Sequence, residues 1–262
     1  MVDITGRVDA DSARRLAALS GVADGFDDTW HRRYVSLATQ MARIEGDFPR
    51  ALELTELIRS SSERARHGKY SMQATVWAAM GDFDQALDAI RRSVEELDGT
   101  GRTNKVFALS NYGYGLLVTG DYIGARAALE QGHQLALDGG KALELAAIEM
   151  NLAWLELMTG QPSDAVDWVT RTLLGQRGQA DWMAFTEALL ISASALLAIG
   201  RHEAMRPIAE YAVPRVLQHP ELVDFFMTER ANSLAAATGV LSGTQVAREL
   251  DDRDLLRLID HG

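Results

Sequence analysis

The chain has 262 residues, no cysteine, and a formal net charge of −11 from 37 acidic and 26 basic side chains. The lack of cysteine excludes disulfides, thiolate zinc sites and cysteine nucleophiles, and the acidic balance disfavours phosphate-backbone binding by the surface as a whole. Hydrophobic residues make up 47% of the chain, enough for a sizeable core, yet no apolar run approaches the ~20 residues of a membrane-spanning helix, so a soluble, cytoplasmic protein is expected.

In chain order, residues 1–28 read as an N-terminal cap segment: a short helix from Asp11 to Leu19, then a loop from Gly21 to Asp28. Asp27-Asp28-Thr29 then caps a helix that carries Trp30 and Tyr34. From here one phrase returns. Gly46-Asp47-Phe48 is followed by Ala51-Leu52, Gly81-Asp82-Phe83 by Ala86-Leu87, Gly120-Asp121-Tyr122 by Ala125, and Gly160-Gln161-Pro162 by Ala165-Val166. Weaker echoes start at Gly200 and Gly239, and the successive intervals are 35, 39, 40, 40 and 39 residues. A period in this range marks a supersecondary unit stacked on its own copies.

Both sides of each glycine read as helix. Val106, Leu109, Tyr112, Gly113, Leu116 and Leu117 recur at steps of three and four and stop at Gly120. Asp121 then opens a helix carrying Ala125, Ala128, Leu129 and Leu135 on one face and ending at Asp138-Gly139-Gly140. The next unit repeats this around Gly160, with Pro162 at a helix start, where its missing N–H costs nothing. The apolar stretch from Ala188 to Ile199 is interrupted by Ser192 and Ser194 and is too short to cross a membrane. Alternating β-type runs are missing. The expectation is an all-α fold, a right-handed α-solenoid of about six helix-turn-helix repeats over residues 29–241, with capping helices over residues 242–262.

The phrase resembles the tetratricopeptide repeat: a small residue seven before the glycine (Ala74, Gly113, Ala153, Ala193), a Gly-Asp-aromatic corner, and an alanine five after it (Ala51, Ala86, Ala125, Ala165). The match covers roughly residues 30–240. It departs from the ~34-residue standard unit in its longer intervals and in lacking the closing proline at most junctions. The longer units are similar to the C-terminal arrays of large bacterial regulators, such as the maltose-regulon activator and actinomycete antibiotic regulators. HEAT-type repeats have a related period and lack the corner.

Chemistry is sparse. There is no Gly-Lys-Ser/Thr phosphate loop, and Gly113-Tyr114-Gly115 lies inside a helix. The six histidines are scattered and read as surface or capping residues. Asp82 and Asp84 read as helix-start residues, and Arg91-Arg92 as a solvated face. No catalytic residue, metal site or cofactor is assigned, and a non-enzymatic protein is expected.

The resemblance implies that the first helix of each unit lines an inner face. Counting six back from each glycine selects Gln40, Thr75, Tyr114, Trp154, Ser194 and Ser233; counting ten back selects Ser36, Ser71, Ser110, Met150 and Leu190. Asn111 and Asn151 stand nine back, where family members hold a peptide backbone or carboxylate, and Phe107 lies one turn before Asn111. The family's gripping lysines have no counterpart, although Arg33 and Arg43 could substitute, and Glu187 is an inward acid. The candidate binding set is therefore Arg33, Gln40, Arg43, Ser71, Thr75, Phe107, Ser110, Asn111, Tyr114, Met150, Asn151, Trp154, Glu187 and Ser194. For Tyr114 and Trp154, packing between helices is an equal reading. The expected partner is a protein segment or peptide, with a small effector of a regulatory system as the alternative. Neither nucleic acid nor membrane is expected, and self-association stays open.

Overall fold

The computed structural model describes residues 28–58, 63–97, 102–139, 142–176, 182–218, 225–240 and 257. The expected terminal cap segments lie outside these residues, apart from Asp28 and Arg257. The described residues form eleven helices and no strand. We number them α1 (Asp28–Ile44), α2 (Phe48–Glu56), α3 (Glu63–Ala79), α4 (Phe83–Glu95), α5 (Arg102–Val118), α6 (Tyr122–Gly139), α7 (Ala142–Met158), α8 (Pro162–Gln176), α9 (Trp182–Ala198), α10 (His202–Gln218) and α11 (Phe225–Thr238). The chain divides into two compact units, residues 1–128 and 129–262, with the boundary inside α6.

The recurring phrase is a double hinge made by one dipeptide. Gly46, Gly81, Gly120, Gly160 and Gly200 all take left-handed backbone angles, with φ between +77° and +85°. This lets the next residue's N–H turn back onto the ending helix: Asp47 donates to Ala42 O at 2.8 Å, Asp82 to Trp77 O at 3.0 Å and Asp121 to Leu116 O at 2.9 Å. The glycine N–H closes the shorter bond inside it, for instance Gly81 to Ala78 O at 3.0 Å. Together these are the paired bonds of a Schellman ending, which satisfy carbonyls that the helix leaves open. Gln161 and Arg201 repeat the backbone bond, to Glu156 O and Leu196 O.

The aspartate then acts a second time. Its Oδ1 accepts from the N–H three residues on: Arg50 to Asp47 at 3.1 Å, Gln85 to Asp82 at 3.1 Å, and Gly124 to Asp121 at 2.9 Å. One residue thus stops a helix with its main chain and starts the next with its side chain.

The small residues sit where helices press together. Ala74, Ala153 and Ala193 are buried on the first helices, as are Ala51, Ala86, Ala125 and Ala165 on the second. A Cβ placed on Gly115 would meet Leu87 Cδ1 at 3.1 Å, so α5 lies close to α4 there and a methyl would need the leucine to give by a few tenths of an ångström.

In the first unit α1 packs on α2, α3 on α4, and α3 also on α1 and α2; α5 packs on α4. One apolar cluster joins Ala42, Ala51, Leu54 and Val76, and another joins Val35, Ile58 and Ala65. In the second unit α9 is central, packed on α7, α8, α10 and α11. Residues Ala188 to Ala193 are all buried there, the environment expected for a helix that is apolar all round. None of the described helices is long and apolar enough to cross a membrane.

Candidate functional site

The site positions expected from sequence are distributed over both units. In the first unit the inner-face positions of α5 fall on one stripe. Phe107, Asn111 and Tyr114 are spaced four and three apart and share a face. Phe107 is 37% exposed, Asn111 is exposed and Tyr114 is half-buried. The corresponding stripe of α3 carries Ser71 and Thr75, and that of α1 carries Arg33 and Gln40. Arg33, Gln40 and Thr75 are exposed, and Arg43 is half-buried. Thr75 turns its hydroxyl onto its own helix, donating to Met72 O at 2.8 Å.

Two residues of this half behave differently from the inward expectation. Ser110 is 3% exposed. It stands one residue before Asn111, about 100° around the helix, and that rotation carries it off the open stripe into the packed flank. Ser71 is drawn sideways into a polar link between α3 and α4. Its hydroxyl lies 2.9 Å from that of the fully buried Ser93, which lies 2.6 Å from His67 Nδ1. The link gives a buried hydroxyl the partners that burial demands. His67 and Ser71 stand four apart on one helix face, the signal in sequence that could have suggested a shared partner.

In the second unit the covered residues include both expected central ones. Met150 is 6% and Trp154 7% exposed. The Trp154 ring is covered by the Arg230 guanidinium of α11, 4.3 Å from its centroid. Desolvated cation–π pairs of this kind hold both groups in place. Trp154 is thus covered from the side of α11. Asn151, Glu187 and Ser194 are half-buried, and Ser194 Oγ donates to Leu190 O at 2.8 Å.

A second polar cluster in this unit joins α6, α7 and α8. Glu149 Oε1 lies 3.4 Å from His133 Nε2, its Oε2 accepts from Thr172 Oγ1 at 3.2 Å, and the His133 ring meets the edge of Trp168 at 5.2 Å between centroids. Trp168 and Thr172 stand four apart on α8, but His133 and Glu149 come from α6 and α7, and no local spacing announces that they meet there. Among the described residues no group of three or more histidines and carboxylates is gathered as a metal site would require. His31 behaves as a capping residue, with Nε2 2.9 Å from Leu57 O near the end of α2.

The solved structures settle what kind of array this is. BtubC (BKLC) from P. vanneervenii superposes with a TM-score of 0.58 at 17% identity, over 92% of both chains. A putative kinesin light chain from Podosopora anserina with nearly identical TPR-like repeats superposes at 0.54 and 16% identity, over 79% of this chain and 95% of that one. The fold is tetratricopeptide-like. A point variant of the same Podosopora protein agrees, with a TM-score of 0.55. At such identities the likeness concerns the fold alone. No protein-family model matches the sequence, and no curated protein matches it. The tetratricopeptide-like fold nevertheless accounts for the corner, the small residues and the pairing of helices found above.

Proposed function

We propose that this chain is a non-enzymatic interaction module that holds a protein segment or peptide against the first helices of its repeats. The observation that supports this reading is the stripe on α5, where an exposed phenyl ring and an exposed carboxamide sit one turn apart at Phe107 and Asn111. A carboxamide offers both donor and acceptor, which suits the N–H and C=O of a peptide main chain. The ring offers apolar area to a side chain of the same peptide. Gln40 and Thr75 extend the polar part on α1 and α3, and Arg33 adds a cation suited to a carboxylate.

Burial changes the candidate set. Ser110, Met150 and Trp154 support the helices that display the stripe and do not themselves meet a partner. Asn151, Glu187 and Ser194 are retained as half-buried contributors in the second unit. The likeness to the sensing arrays of bacterial regulators rests on sequence alone, and with it the alternative of a small effector.

A photo-crosslinking amino acid placed at position 111 of the full chain, in the native host, tests the reading. Mass spectrometry of the product distinguishes a polypeptide from a small molecule. We expect one dominant polypeptide adduct at position 111, lost on Phe107→Ala. The same adducts from a crosslinker at exposed position 167, or none at 111, would overturn it.

A further inference from the structure

The corners of the first unit carry a second surface, distinct from the first-helix stripe. A corner between helices in water needs no large apolar side chain, yet each of the three corners exposes one or more. Ile44 is 62%, Met80 43%, Phe83 36% and Ile123 87% exposed. Between them stand Glu45, Asp47, Asp82, Asp84 and Asp121, all exposed. Within stretches 44–50, 80–85 and 119–124 the basic residue is Arg50, paired to Glu53 at 3.3 Å; the adjoining Arg43 and Arg126 are half-buried, and the five exposed carboxylates outnumber these cations.

Topology gathers these residues. α1–α2 and α3–α4 are packed hairpins, and α5 is joined to α6 by the same kind of three-residue turn. With α3 packed on both α1 and α2, and α5 on α4, the chain runs up and down in succession, and all three corners fall at the same end of the unit. Neighbouring packed helices lie about 8–10 Å apart. The row of corners therefore spans on the order of 20 Å, the length of about 13 residues of α-helix.

We infer that this corner edge is a docking surface for a basic amphipathic helix of a partner protein, with apolar residues seated on Ile44, Met80, Phe83 and Ile123 and lysine or arginine facing the carboxylates. Charge chooses the occupant. A second copy of this chain would bring another acidic edge, and an anionic membrane surface would be repelled for the same reason. A cationic helix gains from both the apolar area and the field. The carboxylates of Asp47, Asp82 and Asp121 are already fixed by the N–H groups they cap, so little order is lost when they meet a cation.

The test is fluorescence anisotropy of the full chain with labelled synthetic peptides. The probe is a 14-residue peptide with leucine on one helical face and lysine on the other. Its controls are a scrambled peptide of the same composition and a version with glutamate in place of lysine. We expect saturable binding of the probe alone, weakened at least about tenfold by Ile123→Lys with Asp84→Lys, at unchanged helicity. Asp167→Lys, a charge reversal in the other unit, and Asn111→Ala should leave binding within about twofold. Equal binding of the scrambled peptide, or equal loss with Asp167→Lys, would overturn the proposal as unspecific charge attraction. A concentration-dependent dimer by light scattering that Ile123→Lys dissociates would overturn it in favour of a second copy. Loss with Asn111→Ala alone would reassign the peptide to the first-helix stripe. The stripe and the edge are thus separately refutable.

Discussion

Replacing Gly81 by alanine isolates the physical requirement at the corner. Its φ is +79°, and a Cβ built there has no heavy atom within 4 Å. The cost is therefore backbone strain without collision. A left-handed angle costs an L-residue about 1–2 kcal/mol, and the reduced freedom of the unfolded chain returns about 0.4–1 kcal/mol, so the net loss is about 1 kcal/mol. If the backbone relaxes instead, the 3.0 Å bonds from Gly81 to Ala78 O and from Asp82 to Trp77 O are lost, and with them the seat of the Asp82 cap. Gly68 supplies the control. It lies inside α3, and a Cβ there also meets nothing within 4 Å. Alanine there should stabilise by about 0.5–1 kcal/mol, since glycine is a poor helix residue. The two glycine-to-alanine changes should differ in sign. Urea titration followed by helical circular dichroism reads the difference, supported by melting shifts of about 2–4 °C per kcal/mol. Gly81→Asn, a residue that tolerates the left-handed region, should fall between wild type and Gly81→Ala. A Gly81→Ala protein as stable as wild type, or a Gly68→Ala protein as unstable as Gly81→Ala, would refute the reasoning.

Other expectations follow from burial and charge. Leu190→Ala should cost about 2–5 kcal/mol, because Leu190 is wholly buried on α9. Leu174→Ala, at a residue 43% exposed, should cost about 1 kcal/mol; equal urea midpoints for the two would contradict the central place given to α9. The Arg91 guanidinium, hydrogen-bonded to Asp88, holds that carboxyl below its ordinary 3.8. A lowered folded-state value means that the contribution is present above the unfolded pKa and fades as pH falls through the folded one. Side-chain NMR should find the Asp88 midpoint below 3.8, moving upward in Arg91→Ala; a midpoint unmoved by that change would refute the assignment. Asn111→Ala should weaken capture of a partner while leaving melting within about 2 °C, since Asn111 is exposed, checked by pull-down beside thermal melts.

Local residues carried the repeat into view. Gly46, Gly81, Gly120, Gly160 and Gly200 take an angle that glycine alone adopts without strain, and Asp47, Asp82 and Asp121 cap within three residues. Those constraints act over a few bonds, so they are written in the order of the chain. The alanines at close helix approaches are legible for the same reason, since their spacing is set by helical pitch. Positions six and ten residues before each glycine differ in burial. Pitch gives the angle of a side chain about its helix, and says nothing of what covers it. Ser110 and Met150 are covered, and Trp154 lies beneath Arg230, a residue two hairpins further along the chain. The same holds for Ser93 with His67 and for Glu149 with His133 and Thr172.

The sequence by itself determined the helices, their corners and the repeat, because caps, glycine angles and pitch are local physics. Only the tertiary structure decided which positions on those helices meet solvent. Burial depends on neighbours brought from elsewhere in the chain, and it left Phe107 and Asn111 displayed on α5 and Ile44, Met80 and Ile123 along the corners.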